Sequence, residues 1–239
     1  MADDGKRRWK GPGQSSKKSS GRRLGERKVK AYNAQSESSK RWIERQLSDP
    51  YVQKAKKDGY RARAAYKLKE IDEKASLLRS GISVVDLGCA PGGWLQVLLE
   101  TKAAEIVGID LLPVEPLPGV HIVEGDIENA DDVGALLSGL TRKPDLVLSD
   151  MAANTTGHRQ TDHLRTSALA DLALDFAETH LIIGGAFCAK VFQGGATADM
   201  LERLKRDFQT VKHIKPAASR AGSPEIYVVA KGFKKKVLQ

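Results

Sequence analysis

No stretch of this chain of 239 residues approaches the roughly 18 consecutive apolar residues that a membrane-spanning helix needs, so a transmembrane protein is excluded. The opening segment, MADDGKRRWKGPGQSSKK, carries basic residues but no apolar core, and no secretory signal is expected. Cysteine is scarce. Cys89 and Cys188 are the two in the chain, too few for a disulfide framework and consistent with a reducing cytoplasm, where the protein is expected to reside. Histidine offers no metal site either, because His158, His163 and His213 are scattered without ligand spacing and no cysteine cluster supports them. Apolar residues are scarce over 1–40, which holds eight. Gly, Ser, Lys and Arg dominate there. Such a segment buries too little surface to offset its ordering entropy, and it reads as a disordered basic tail.

Acidic charge is scarce at the same end. Residues 1–70 hold 21 basic and 8 acidic side chains, a net of +13, whereas 71–239 are slightly acidic at −4. Basic charge gathered at one end points to a polyanionic partner. An anionic membrane surface fits less well, because 1–40 has no amphipathic apolar face. Past the tail, 40–58 suggests two short helices broken at Asp49-Pro50, and 61–79 a longer helix with Tyr66, Ile71, Leu77 and Leu78 on one side. Trp42, Tyr51, Tyr60 and Tyr66 alternate with basic residues here. They suit either an RNA platform of phosphate contacts and stacking or anchors to a core, the latter expected for at least half of them.

From residue 82 the pattern becomes short apolar strands alternating with helices. Strands are expected over 82–88, 105–111, 120–126, 145–150, 184–192, 210–216 and 225–233. Helices are expected over 93–101, near 130–139, over 164–181 and over 196–208, with a polar loop at 152–163. The alternation predicts an α/β domain over 41–239 with a mostly parallel sheet of seven strands, helices on both faces, and the last two strands as an antiparallel edge pair. Ligands of such sheets bind at the carboxyl ends of the strands.

Those strand ends carry the chemistry. Asp86-Leu-Gly88-Cys-Ala-Pro-Gly92-Gly93-Trp94 ends the first strand and opens a helix. Its spacing departs from the G-x-G-x-x-G of dinucleotide sites. An acid before the first glycine would repel a pyrophosphate and suits a cationic amine or sulfonium, which favours S-adenosylmethionine over a nicotinamide cofactor. Asp110, at the end of the second strand, can accept from both hydroxyls of a ribose. Asp126, at the end of the third, can accept from an adenine amine. Any one of these acids alone is as well explained as a turn residue; three on successive strands are not.

Taken together with Tyr51-Val-Gln, Arg61-Ala-Arg-Ala-Ala-Tyr-Lys-Leu, Asp110-Leu-Leu-Pro, Ser149-Asp-Met-Ala, Lys190-Val-Phe-Gln-Gly and Ser219-Arg-Ala-Gly-Ser-Pro-Glu-Ile-Tyr, the sequence resembles the FtsJ/RrmJ family of ribose 2′-O-methyltransferases from about Arg41 to Phe233. The resemblance implies a Rossmann-like class I methyltransferase fold and S-adenosylmethionine as methyl donor. The implied reaction is 2′-O-methylation of a uridine ribose in 23S ribosomal RNA, on the large ribosomal subunit; separately from the resemblance, a monomer is expected. It also implies a catalytic tetrad at Lys67, Asp150, Lys190 and Glu225, with cofactor contacts at Gly92, Trp94, Asp110, Asp126 and Asp150. Residues 41–80 would then be a helical RNA-binding extension. Ala153 departs from the family's usual proline after Ser-Asp-Met-Ala, and the basic tail is longer than the family's extension.

A ribose 2′-hydroxyl attacks well only once its proton is removed and its line of approach is fixed. Lys190, flanked by Phe187, Val191 and Phe192, is expected to be partly desolvated. A buried lysine beside a second lysine tends to the neutral form, and one beside carboxylates to the ammonium form; base and orienting donor are both open roles for Lys190. Asp150 would position it, and Lys67 and Glu225 would orient the ribose. Glu225 and Tyr227 share a strand face, so Tyr227 either stacks on a base or ribose or is a packed aromatic. The alternatives are an RNA-binding ribosome-assembly factor with a methyltransferase fold, a methyltransferase acting on cap ribose or a base nitrogen, and, more distantly, an oxidoreductase.

Overall fold

The protein is described here by a computed structural model covering residues 49–153, 156–193, 198–220 and 222–234. The chain divides into two units, Met1–Ser48 and Asp49–Gln239, and every described residue belongs to the second. The expected basic tail, the helix before Asp49 and Trp42 lie outside the described residues.

The Asp49-Pro50 break starts a helix. The Asp49 carboxylate accepts the Tyr51 amide, Pro50 occupies the first helical turn, where its missing N–H costs nothing, and Gly59 closes α1 (Pro50–Asp58) at φ +81°. Helix α2 (Ala64–Ala75) is shorter than the apolar spacing predicts. Asp72 accepts the amides of Leu77 and Leu78, both at 2.7 Å, and Ser76 turns left-handed at φ +50°. Leu77 and Leu78 therefore leave the helix, while Tyr66 and Ile71 stay buried on it.

The sheet follows as β1 (Ser83–Leu87), β2 (Glu105–Asp110), β3 (His121–Glu124), β4 (Leu146–Ser149), β5 (Ala186–Phe192), β6 (Phe208–Ile214) and β7 (Glu225–Phe233). Between them run α3 (Gly93–Glu100), α4 (Ala130–Leu137), α5 (Arg159–His180) and α6 (Ala198–Asp207). Part of the segment expected as a polar loop is thus the first turn of α5. The strand order is β3-β2-β1-β4-β5-β7-β6. The first five strands are parallel, and β7 runs antiparallel to both β5 and β6. Strand β7 is inserted beside β5, which leaves β6 as the edge.

Interior strands are buried on both sides and so read as unbroken apolar runs. Val84 and Leu148 pack with Leu68, Trp94 and Leu95 on one face, and Val85 and Val147 pack with Leu174 and Phe187 on the other. Order reverses at β1, with β2 on one side and β4 on the other, so the carboxyl ends of β1 and β4 flank the crevice where such sheets bind ligands. Among the described residues no helix is long and apolar enough to cross a membrane.

Candidate active site

A cavity of about 320 Å³ opens at that crevice, lined by Gly88 and Ala90 after β1, Asp110 and Leu111 at the end of β2, Asp126 after β3 and Asp150 after β4. Glycine is required at 88. Its φ is +79°, and a Cβ there would lie 2.7 Å from Met151 Cγ and 2.9 Å from Met151 Cα, so only a bare backbone passes the β4 loop. Asp110 accepts the Ala90 amide at 2.8 Å and the Leu112 amide at 2.9 Å. It therefore ties the glycine turn to the loop after β2 while its carboxylate faces the cavity. Asp126 accepts the Glu128 amide at 3.0 Å, and its own amide donates to Asp132 at 2.9 Å.

Beneath this turn, in the middle of the sheet, Asp86 is fully buried, and neither of its carboxylate oxygens has a hydrogen-bond partner. Burial, reinforced by Asp150 and Asp110, pushes its pKa well above the ordinary carboxylate value. An unpaired buried acid costs stability. Asp86 lies beneath the glycine turn and does not itself line the cavity.

Beside the cavity, four charged side chains from distant parts of the chain converge. Lys190 Nζ donates to the Asp150 carbonyl at 2.7 Å and to Asp150 Oδ1 at 3.1 Å. Lys67 Nζ, from α2, stands 3.6 Å from Asp150 Oδ2 and 2.9 Å from Glu225 Oε1. Tyr227 donates from its hydroxyl to Asp150 Oδ1 at 2.6 Å, and Ser219 from its hydroxyl to Glu225 Oε1 at 2.7 Å. Strand register explains the grouping, because Lys190 pairs with Tyr227 and Phe192 with Glu225 across the β5–β7 ladder.

The electrostatics follow from these contacts. Burial raises the Asp150 pKa, but the Lys190 and Lys67 ammoniums and the Tyr227 hydroxyl outweigh it, and the carboxyl lies below its usual range. Burial lowers the Lys67 ammonium, but Asp150 and Glu225 outweigh it and the group is raised. Burial, with Asp150 and Glu225 nearby, pushes the Tyr227 hydroxyl well up, so it remains a donor. Each charge in the cluster meets an opposite charge, as low-dielectric surroundings demand.

All four tetrad residues expected from the family resemblance therefore meet. Asp110, Asp126 and Asp150 line one cavity, with Asp150 shared between cavity and cluster. The side chains at the other two cofactor positions do not line it. Gly92 caps α3 at φ +104° beneath the Arg61 guanidinium, which lies 2.8 Å from where a Cβ would sit. The Trp94 indole is buried and donates to the Ala64 carbonyl at 2.8 Å, its rings 5.8 Å from Tyr227. Neither residue lines the cavity, and the Gly92 amide is taken up within the turn, donating to the Cys89 carbonyl at 2.7 Å.

Tyr227 is fully buried, so of the two readings of its ring the packed one holds. Tyr60 and Tyr66 are buried too and pack edge to face at 5.5 Å, with Tyr51 5.7 Å from Tyr66; they anchor α1 and α2 to each other rather than forming an open stacking platform. Two further residues in the recognised motifs gained no role from sequence. Arg61 donates to the carbonyls of Pro91 at 3.2 Å, Glu115 at 2.7 Å and Pro116 at 3.2 Å, pinning the glycine turn to the loop after β2. Ser219 is the second. Their only sequence signal was membership of those motifs. Among the described residues no group of three or more His, Cys, Asp or Glu side chains could hold a metal ion.

A family model described as FtsJ-like methyltransferase matches residues 60–233. Ribosomal RNA large subunit methyltransferase E of Hyphomonas neptunium is 69% identical over 235 residues, covering 98% of this chain and all of that protein. The protein of the same name from Sphingopyxis alaskensis is 58% identical over 208 residues, covering 87% of this chain and 90% of its own. A solved structure of a ribosomal RNA methyltransferase from Plasmodium falciparum superposes with a TM-score of 0.65 at 36% identity, covering 73% of this chain and 98% of that one.

Proposed function

Because the chain belongs to the FtsJ-like methyltransferase family, and is thus a methyltransferase, we propose that it transfers the methyl group of S-adenosylmethionine to the 2′-hydroxyl of a uridine ribose in large-subunit ribosomal RNA. The observation that carries this reading is the junction at Asp150, where an acid-lined cavity meets a buried Lys-Asp-Lys-Glu cluster. The names of the relatives support the RNA substrate.

The residues present fit this cofactor. Asp110 and Asp126 line the cavity and offer acceptors for hydroxyl and amine donors, glycine at 88 leaves the backbone room, and the buried Asp86, with no partner of its own, adds negative charge capacity beneath the turn when a cation is bound above it. When bound, S-adenosylmethionine supplies an electrophilic methyl group on a positively charged sulfur. Everything else falls to the chain. Lys190, once it has released its own proton to solvent, is the group placed to take the 2′-hydroxyl proton: two of its N–H groups stay bound to Asp150 and its lone pair is then free. Asp150 fixes Lys190 through two acceptors and is itself fixed by Tyr227. Lys67 stays charged and, with Glu225, presents a donor and an acceptor suited to the ribose hydroxyls. Selectivity for one ribose then rests on RNA shape, with the basic residues of α1 and α2 contributing salt-dependent affinity.

The test is to incubate the protein with methyl-labelled S-adenosylmethionine and large subunits lacking the modification, then digest the RNA with nucleases and locate the label. Label on ribose is expected. Label on a base would move the reaction to another substrate atom. RNA binding without any label would favour the assembly-factor reading.

A further inference from the structure

We propose that Ser219, on the loop between β6 and β7, is a positioning residue for the reaction. Its hydroxyl holds Glu225 in register with Lys67, and a clasp from the first two helices holds Ser219 in turn. The proposal rests on the ribose-methylation reading and assigns a role that neither composition nor strand pattern suggests.

Glu225 is held from more than one element. Its Oε1 receives Ser219 Oγ at 2.7 Å and Lys67 Nζ at 2.9 Å, and lies 3.4 Å from the Tyr227 hydroxyl, whose single hydrogen goes to Asp150. Its Oε2 receives Lys67 alone, at 3.0 Å. Lysine is a compact charge on a four-carbon stem and imposes little direction. A carboxylate held only by Lys67 could rotate about its terminal bond and keep most of the attraction. A hydroxyl donor at 2.7 Å, by contrast, selects one oxygen and one angle. Ser219 is therefore the group that decides which Glu225 oxygen is left toward the substrate side.

A hydroxyl does this only if its own backbone is fixed, and here it is. The Ser219 side chain is buried, and its amide donates to the Pro216 carbonyl at 3.0 Å. The preceding residue is gripped twice: the Ala218 amide donates to Glu70 Oε2 at 2.9 Å, and the Ala218 carbonyl accepts from Arg63. Glu70 is set by the Tyr51 hydroxyl at 2.9 Å. Asp49 pairs with Arg63 and lies 3.5 Å from Arg220 on the far side of Ser219. Residues of α1, α2 and the N-cap before them thus enclose residues 218–220. Lys67, which completes the Glu225 contact, comes from the same helix as Arg63's neighbour Ala64 and Glu70. One helix sets both the ammonium and, through the loop, the carboxylate it meets.

The test uses the full-length protein with Ser219→Ala, Ser219→Thr, Glu225→Gln and the Ser219→Ala/Glu225→Gln pair. It measures kcat on undermodified large subunits at saturating cofactor, cofactor affinity by calorimetry, and the thermal midpoint. Ser219→Ala should lower kcat by roughly tenfold, the size of one lost hydrogen bond to a charged group, with cofactor affinity unchanged. Ser219→Thr, which keeps the hydroxyl, should restore most of that loss. In the Glu225→Gln background, Ser219→Ala should cost less than about twofold further, because the group it positions is gone. A merely structural serine would lower the thermal midpoint and multiply the Glu225→Gln defect by its full factor. That multiplication, or wild-type kcat in Ser219→Ala, overturns the proposal. If the threonine variant does not fold, the cycle decides alone. Should the wild type place no methyl group on ribose, the functional reading itself has failed.

Discussion

The two halves of the carboxyl edge differ in how their charge is satisfied. On the cavity side, Asp110 and Asp126 line the opening, and Asp86 lies buried beneath it with no hydrogen-bond partner. On the cluster side, Lys67, Asp150, Lys190 and Glu225 are two cations and two anions in mutual contact. In the first, none of the three acids has an ion-pair partner among the described residues, which on the proposed reading leaves the cavity open to a positively charged ligand. The second is complete in itself, so its work is geometric: it holds an amine and a carboxylate where a hydroxyl can meet them. Asp150 belongs to both, and on the proposed reading it couples cofactor binding to the position of Lys190.

Breaking the cluster should hurt chemistry and spare cofactor binding. Asp150→Asn stands apart, because it sits on both sides. It should cut kcat by on the order of 100- to 10,000-fold, the range for a misplaced acid–base group, and also weaken cofactor binding, as calorimetry would detect. Next in size comes the cavity side. Asp86→Asn should weaken cofactor affinity by about tenfold in the same titration while stabilising the fold near neutral pH, because the amide has no ionisation that favours the unfolded chain. The sign depends on pH. The Asp86 pKa is raised on folding, so its contribution favours the fold below the ordinary carboxylate value of about 4 and is lost as pH rises through the folded value. The stabilisation by Asp86→Asn should therefore be present at pH 8 and fade toward pH 4. The cluster has the opposite profile. Asp150 is lowered and Lys67 raised, so their contribution is lost only as pH falls below the first folded value or rises past the second. Melting curves across pH separate the two regions.

Smaller effects sharpen the boundary. Arg61→Ala removes the link from the glycine turn to the loop carrying Leu111 and Leu112. It should weaken cofactor affinity about three- to tenfold with kcat at saturation nearly unchanged. Tyr227→Phe leaves Asp150 with one donor fewer and should lower kcat about threefold, with no effect on the cofactor dissociation constant.

How much of this was legible in the sequence varied by element. The inner strands were legible because burial on both faces makes them apolar runs ending in acids, as in β1 through Asp86 and β2 through Asp110. The end of α2 was not, because a local device, Asp72 capping Leu77 and Leu78, overrides the continuing apolar spacing. The edge pair was expected, but nothing in the sequence indicated that β7 inserts beside β5. That insertion is what brings Tyr227 opposite Lys190. The meeting of Lys67 with Glu225 spans 158 residues, and no spacing rule reaches so far; the family resemblance placed both. Tyr227 stayed undecided because an aromatic on a strand face reads the same whether it meets a base or a neighbouring helix, and only its zero exposure separates the two. Ser219 and Arg61 act through backbone carbonyls and a neighbouring side chain, contacts that leave no mark in composition or period.

The division of labour at Asp150 is tested most directly by Lys190→Ala, measured twice: cofactor dissociation constant by calorimetry, and single-turnover methyl transfer to undermodified large subunits with both substrates saturating. The predicted result is a dissociation constant within about twofold of wild type and a transfer rate lower by at least about 100-fold. A variant that transfers at the wild-type rate, or one that loses cofactor binding in proportion to its rate, would contradict a cluster that does the chemistry beside a cavity that holds the cofactor.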